Sequence, residues 1–437
     1  MKAHWSLVLA LCAARFALIA RDGPSFPLKA SADGRYLVDA AGKPFFYHGD
    51  TAWQITKKLT REEAEVYLDD RTARGFTAIQ VQAFSREAGP ITNRYGHEPF
   101  SPPDDILKPN EAYWKHVDFV LEAAEQRGFF VAFAPLWLRW GGADQEGWRY
   151  HLTDANAAAF GRWIAQRYRH HKNLMWILVG DANPIDRSHA VAEMARAIKK
   201  IAPHQMITAH NRPTFASSAF FDTQDWLDVN MAYTYEEIYP HVLGEWNRVG
   251  RPRPMILGES GYEHESNDGR GGAPLRMRKQ ACQTILAGGL GGHCYGHEQL
   301  WRFGERWREA LNDPGSRQMA QVKALFSSLP WWKLVPDQNH EFAVSGREIF
   351  GKQEYVMTAR ARDGSFGLSY FPTNRLVTYD LSKLTGRVTA TWYDPTDGSR
   401  KPVDGSPFPT AGRRDFTPSG NNASGDSDWV LLLEVKR

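Results

Sequence analysis

Cysteine is nearly absent from this chain: three in 437 residues, Cys12, Cys282 and Cys294. Thiols so few and so spaced form neither a disulfide framework nor a zinc site. Cys294 falls in an apolar run, where inert core packing is the expected role. Long apolar runs are also missing. Beyond the first twenty residues nothing approaches the roughly 18 apolar positions of a membrane span. Charge of one sign is not in excess, with 53 Lys and Arg against 50 Asp and Glu and a formal net charge of +3. No dense basic run with interleaved aromatics occurs, which argues against a nucleic-acid partner. The Gly-rich phosphate loop of a dinucleotide fold does not follow the first strand. His-x-His and His-Glu-x-x-His are absent, and Gly258-Glu259-Ser260-Gly261 lacks the Gly-x-Ser-x-Gly frame of a nucleophilic serine. No cofactor and no metal are therefore expected.

What is present starts with an export signal over residues 1–20. Lys2 and His4 precede Leu7-Val8-Leu9-Ala10-Leu11, and small residues follow at Ala13, Ala14, Ala17 and Ala20. The expected destination is the periplasm or the outside, and bulky Leu11 before Cys12 argues against lipoprotein processing. Aromatic residues are plentiful, with 16 Trp, 16 Tyr and 23 Phe. Such an excess suits stacking on sugar rings and equally suits the core of a large barrel.

Residues 21–44 read as a small hairpin closing a barrel floor. From Phe45-Phe46-Tyr47-His48-Gly49-Asp50 onward, apolar strands alternate with helical patterns in about eight units. Thr60 with Glu63 is a capping box for the first helix. Strands separated by helices imply a parallel sheet, and eight units over about 290 residues fit a (β/α)8 TIM barrel within 21–335. After about Pro336 the texture changes to short alternating runs split by Asp363-Gly364, Thr385-Gly386, Asp397-Gly398 and Asp404-Gly405. That pattern predicts an antiparallel β-sandwich over 336–437, with Gly420-Asn421-Asn422 and Gly425 in a surface loop.

Two strands share one design. Trp176-Ile177-Leu178-Val179-Gly180-Asp181 and Pro254-Met255-Ile256-Leu257-Gly258-Glu259 each run an apolar strand into glycine and then a carboxylate. An acid at the C-terminal tip of a barrel strand sits where such enzymes build their sites. Glycoside hydrolysis needs a carboxyl pair, one protonated and one ionised. Asp181 and Glu259 are the candidate catalytic pair. The bland alternatives are a turn aspartate before Pro184 and a glutamate ion-paired with Arg270 or Arg276. Other strand ends add flat faces and hydrogen-bonding groups: His48, Asp50 and Trp53; Gln82; Trp137, with Trp140 beyond it; His210; Tyr233; Tyr262; His293, Tyr295 and Trp301. These are the candidate substrate-binding residues, and a carbohydrate is the expected partner. His48, Asp50, His210, His293 and His297 form the competing metal constellation.

Four of these stretches together resemble the apiosidase-like glycoside hydrolase family. They are 46–53, 176–183, 258–263 and 291–296 with Trp301. The C-terminal region is similar to the β-domain that often follows it, known as a collagen-binding domain. The resemblance implies a (β/α)8 barrel, catalytic residues at Asp181 and Glu259, and cleavage of plant pectic side chains bearing apiose. Val179 stands where a second small residue is the family's pattern. By the placement usual in barrel hydrolases, Asp181 is the acid/base and Glu259 the nucleophile of a retaining reaction. A non-catalytic carbohydrate- or matrix-binding protein on the same scaffold is the alternative. Specificity is expected from loops 84–109 and 263–274.

Overall fold

The computed structural model describes residues 23–87, 90–139, 147–265 and 271–435. The expected export segment and Trp140 lie outside these residues. Among the described residues no helix is long and apolar enough to cross a membrane. Eight parallel strands form one sheet: β1 (Tyr47–Thr51), β2 (Ala78–Gln82), β3 (Phe130–Ala134), β4 (Leu174–Ala182), β5 (Met206–Asn211), β6 (Asn230–Tyr233), β7 (Met255–Glu259) and β8 (Gly292–Tyr295). The order is β5-β4-β3-β2-β1-β8-β7-β6, which is the predicted (β/α)8 arrangement. Its main helices are α1 (Arg61–Ala73), α2 (Glu111–Gln126), α3 (Ala157–Tyr168), α4 (Ser188–Ile201), α5 (Ile238–Trp246), α6 (Pro274–Leu286) and α7 (Pro314–Ser327). The capping box forms as predicted: Thr60 accepts from the Glu63 backbone, and Glu63 reaches back to the Thr60 N–H.

Between β5 and β6 the ladder is replaced by side chains. Ser217 Oγ donates to the Ala209 carbonyl at 2.6 Å and accepts from Met231 N at 2.9 Å. Thr208 Oγ1 donates to the Val229 carbonyl at 2.8 Å. Backbone groups left unpaired in a buried seam would each carry a desolvation cost, and these hydroxyls meet part of that need.

Side chains along each strand alternate between two separate apolar clusters. Tyr47, Ala78, Phe130, Ala132, Met175, Ile177, Met206, Met231, Ile256 and Cys294 fill the barrel interior. Ile79, Val81, Val131, Phe133, Trp176, Leu178, Ile207, Leu257 and Tyr295 face the helices. Below the barrel, Lys29–Ala30, Leu37–Val38 and Pro44–Phe45 form a three-stranded antiparallel sheet. Leu28, Leu37 and Phe45 from this region join the interior cluster, and Phe26 stacks on Phe130 at 5.9 Å. The floor is closed by apolar packing, so the open end is the other one.

The C-terminal region carries a six-stranded antiparallel sheet in the order 334–336, 357–361, 366–371, 429–435, 388–393 and 400–402. A three-stranded sheet of 343–345, 377–380 and 413–416 accompanies it. Phe342, Phe371, Tyr379, Trp392, Phe416, Trp429 and Leu431 fill the space between them. The stretch read as a surface loop does more than turn. Asp428 and Asp426 grip Arg278, a buried guanidinium on α6: Nε and Nη2 reach both oxygens of Asp428 at 2.9 and 2.7 Å, and Nη2 reaches Asp426 at 2.8 Å. Tyr370 and Asn422 donate to the same Asp428 carboxylate. A barrel helix is thereby tied to the β-domain through a fully buried ion pair.

Candidate active site

Both candidate catalytic carboxylates sit where a strand loses its regular register. The β4–β5 pairing shifts between Val179 and Ala182, and the β7–β6 pairing shifts between Leu257 and Glu259. Such bulges redirect the side chain that follows. At β4 three consecutive residues take left-handed backbone: Val179, Gly180 and Asp181, with φ of 74°, 83° and 50°. That conformation is costly for branched valine. It is held by hydrogen bonds to the Val179 and Gly180 carbonyls from the N–H groups of Leu138 and Arg139, at 2.7 and 2.8 Å. Gly180 is required twice over, since a Cβ there would lie 2.4 Å from the Trp137 indole. Strain kept at a strand tip and over-determined by its surroundings is of the kind that clusters at active sites.

Glu259 is 12% exposed and oriented from two sides. The Tyr262 hydroxyl donates to its Oε1 at 2.7 Å while accepting from Trp53 Nε1 at 2.8 Å. His210 Nε2 lies 2.8 Å from its Oε2, at an angle too bent for an aligned hydrogen bond. The other edge of the same imidazole faces Asp181, whose backbone N–H points at Nδ1 from 3.4 Å. That contact assigns the lone pair to Nδ1 and the proton to Nε2, facing the carboxylate. One ring thus contacts both the Asp181 backbone and the Glu259 carboxylate.

Aromatic rings enclose this centre. Trp137 lies 5.0 Å from both Trp53 and His210, and Tyr233 lies 4.8 Å from His210. Tyr233 is followed by Tyr235 at 5.6 Å. Burial first, then the charges of Glu259 and Asp181, push the Tyr233 phenol well above its ordinary 10. Tyr262 is pushed up by burial and by Glu259. These tyrosines stay protonated and act as donors. Gln82 continues the interior row above Gln80, which crosses the barrel to donate to the Gly258 carbonyl at 2.7 Å. Gln82 Oε1 is buried and finds no partner among the described residues. Trp301 packs half-buried on the interior cluster.

Four of the substrate-binding candidates lie elsewhere. His48, Asp50, His293 and Tyr295 point outward, into the helix layer. His48 Nδ1 meets His293 Nε2 at 2.9 Å, and His48 stacks on Phe76 at 4.7 Å. Burial pushes both imidazoles down, His293 to about 3, so the pair is neutral and structural. Asp50 accepts from Arg71 Nη1 at 3.1 Å and from Tyr67 at 2.8 Å. Burial raises its carboxyl, and Arg71 offsets part of that rise. Tyr295 donates to Glu263, and Glu263 caps the N-terminus of α7 by accepting from Gly315 N and Ser316 N. The proposed metal constellation is scattered by the same geometry. A different cluster, His264, His297 and Asp313, does converge. There His297 Nδ1 accepts from Gln299 N at 2.9 Å, which leaves the proton on Nε2 to donate to Asp313 at 2.8 Å. Tyr235, just past the β6 tip, also belongs to this aromatic wall, and its sequence signal is the aromatic spacing after Tyr233.

Comparison with known proteins bears on the family and the fold. The family model described as the apiosidase-like catalytic domain matches residues 31–333. A collagen-binding domain of a collagenase matches 335–434. A search of curated proteins finds no match. Among solved structures, one titled glycoside hydrolase is 27% identical with a TM-score of 0.82, covering 94% of this chain and 97% of that one. A glycoside hydrolase family 5 structure from Bacteroides vulgatus is 26% identical with a TM-score of 0.82, covering 93% of each chain. The chain belongs to the apiosidase-like glycoside hydrolases.

Proposed function

We propose that this protein is an exported hydrolase that cleaves glycosidic bonds in plant pectic carbohydrates, including side chains bearing apiose, with retention of anomeric configuration. The observation that carries the reading is the shared imidazole: His210 Nδ1 faces the Asp181 backbone N–H at 3.4 Å and its Nε2 lies 2.8 Å from the Glu259 carboxylate. Protonated Asp181 gives its proton to the glycosidic oxygen as the C–O bond breaks. Glu259 bonds to the anomeric carbon. Asp181, now a carboxylate, takes a proton from water, whose oxygen displaces Glu259 and restores both groups. The Tyr262 hydrogen bond holds Glu259 in one orientation, with His210 lying against its other oxygen. That removes the reorganisation a free carboxylate would undergo during attack. Trp53, Trp137 and Tyr233 supply the flat faces a sugar ring needs.

The test is hydrolysis of apiose-bearing pectic oligosaccharides, with the product anomer followed by proton NMR. The wild type should release a sugar whose first-formed anomer matches the substrate. Asp181→Asn and Glu259→Gln should each lower turnover by about a thousandfold or more with unchanged circular dichroism. Full activity in either variant removes this mechanism.

A further inference from the structure

Immediately beyond Asp181 lies a group of residues that neither the core nor the reaction uses. Tyr150 is 61% exposed and Ile185 is 69% exposed. Tyr150 is not loosely placed. It sits in the turn closed by His151 N donating to the Trp148 carbonyl at 3.0 Å. Arg187 covers one face of its ring, with the guanidinium carbon 6.0 Å from the centroid. The same Arg187 donates from Nε to the Arg149 carbonyl at 2.8 Å. Arg149 in turn donates to the Asn183 carbonyl at 2.8 Å and ion-pairs with Asp186. The ring is therefore braced directly against the residues that follow the acid.

Two polar atoms in this brace are unsatisfied. Arg149 Nη1 and Asn183 Oδ1 are buried, and neither finds a hydrogen-bond partner among the described residues. One is a donor and the other an acceptor; Asn183 lies two residues past Asp181, and Arg149 is hydrogen-bonded to its carbonyl. Buried polar atoms without partners are few in folded proteins and call for an explanation. A ring face with an adjacent donor and acceptor is the set that a sugar recognises: stacking for its C–H face, hydrogen bonds for its hydroxyls.

We propose that Tyr150, Arg149 and Asn183 form a binding subsite for the sugar on the leaving-group side of the scissile bond. This rests on the glycosidase reading, because a proton leaving Asp181 must meet the oxygen that joins the leaving group. The leaving sugar therefore begins at Asp181 and runs onto its immediate neighbours. The subsite takes a sugar ring with vicinal hydroxyls, carried by an oligosaccharide.

The probe is an apiose-bearing pectic oligosaccharide. Its affinity is measured by calorimetry in the Glu259→Gln background, and its KM and kcat in the otherwise wild-type protein. Tyr150→Ala should weaken binding and raise KM by about five- to tenfold, while Tyr150→Phe, which keeps the ring, should remain within twofold. Asn183→Ala should weaken binding threefold or more. Equal affinity of Tyr150→Ala and its parent overturns the subsite while leaving the hydrolase reading intact. Failure of the otherwise wild-type protein to cleave any glycan, or full turnover in Asp181→Asn, overturns both.

Discussion

Replacing Tyr262 by Phe removes a single oxygen that serves two partners. It donates to Glu259 Oε1 at 2.7 Å and accepts from Trp53 Nε1 at 2.8 Å. A hydrogen bond to a charged group contributes about 1.5–3 kcal/mol. If that bond orients the nucleophile in the transition state, its loss lowers kcat/KM by roughly 10- to 150-fold. The loss should fall on kcat, because Glu259 does its work only as the bond to carbon forms. A second cost is structural: the buried Trp53 N–H is left without its acceptor, at about 1–3 kcal/mol of stability. Steady-state kinetics and urea unfolding of the same preparation separate the two. A variant with kcat within threefold of wild type would refute the role given to Tyr262, whatever its stability. A raised KM with unchanged kcat would instead make it a substrate contact.

Three further outcomes follow from named contacts. Arg278→Met should cost about 3–5 kcal/mol in urea unfolding, the loss expected when one partner of a buried ion pair is removed, because Asp428 stays buried. The Arg278→Met/Asp428→Asn double variant should cost clearly less than the two single changes added. Stability should also fall on acidification. The unfolded chain protonates His293 below its ordinary 6.5, whereas the folded chain holds it near 3, so stability is lost as pH falls from 6.5 towards 3. At pH 5 this ring alone accounts for about 2 kcal/mol, at about 1.36 kcal/mol per pH unit. Urea midpoints at pH 7 and pH 5 should therefore differ less in His293→Gln than in the wild type. Asp181→Asn should lose more activity on an oligosaccharide than on a nitrophenyl glycoside, whose leaving group needs little help from an acid.

The barrel was legible in the sequence because short, largely apolar runs alternate with helical patterns. Thr60 and Glu63, Gly75 and Gly128 punctuate the chain where the structure turns. The two acids were legible because glycine precedes each at the end of a strand. Strand faces were not legible. Parallel strands buried on both sides carry no apolar–polar alternation, so His48 beside Tyr47, or Tyr295 beside Cys294, gives no sign of which one looks inward. For that reason four polar residues at strand tips read as mouth residues in the sequence, whereas they face helices in the structure. The bulges at Val179–Ala182 and Leu257–Glu259 were equally hidden, since register depends on the neighbouring strand. The loop at 420–425 reads as a turn because its glycines and asparagines are turn residues; the grip of the adjoining Asp426 and Asp428 on Arg278 depends on a helix 150 residues away in sequence.

The central claim is that Glu259 bonds to the anomeric carbon while Asp181 serves the leaving oxygen. The most direct measurement is mass spectrometry of the protein after incubation with a 2-deoxy-2-fluoro apiosyl donor carrying a good leaving group. Such a donor accumulates the glycosyl-enzyme by slowing its hydrolysis. The account predicts one added sugar, mapped to the peptide containing Glu259, and none in Glu259→Gln. An adduct on any other residue, or steady hydrolysis of the natural linkage with no adduct and with inversion at the anomeric carbon, would contradict it.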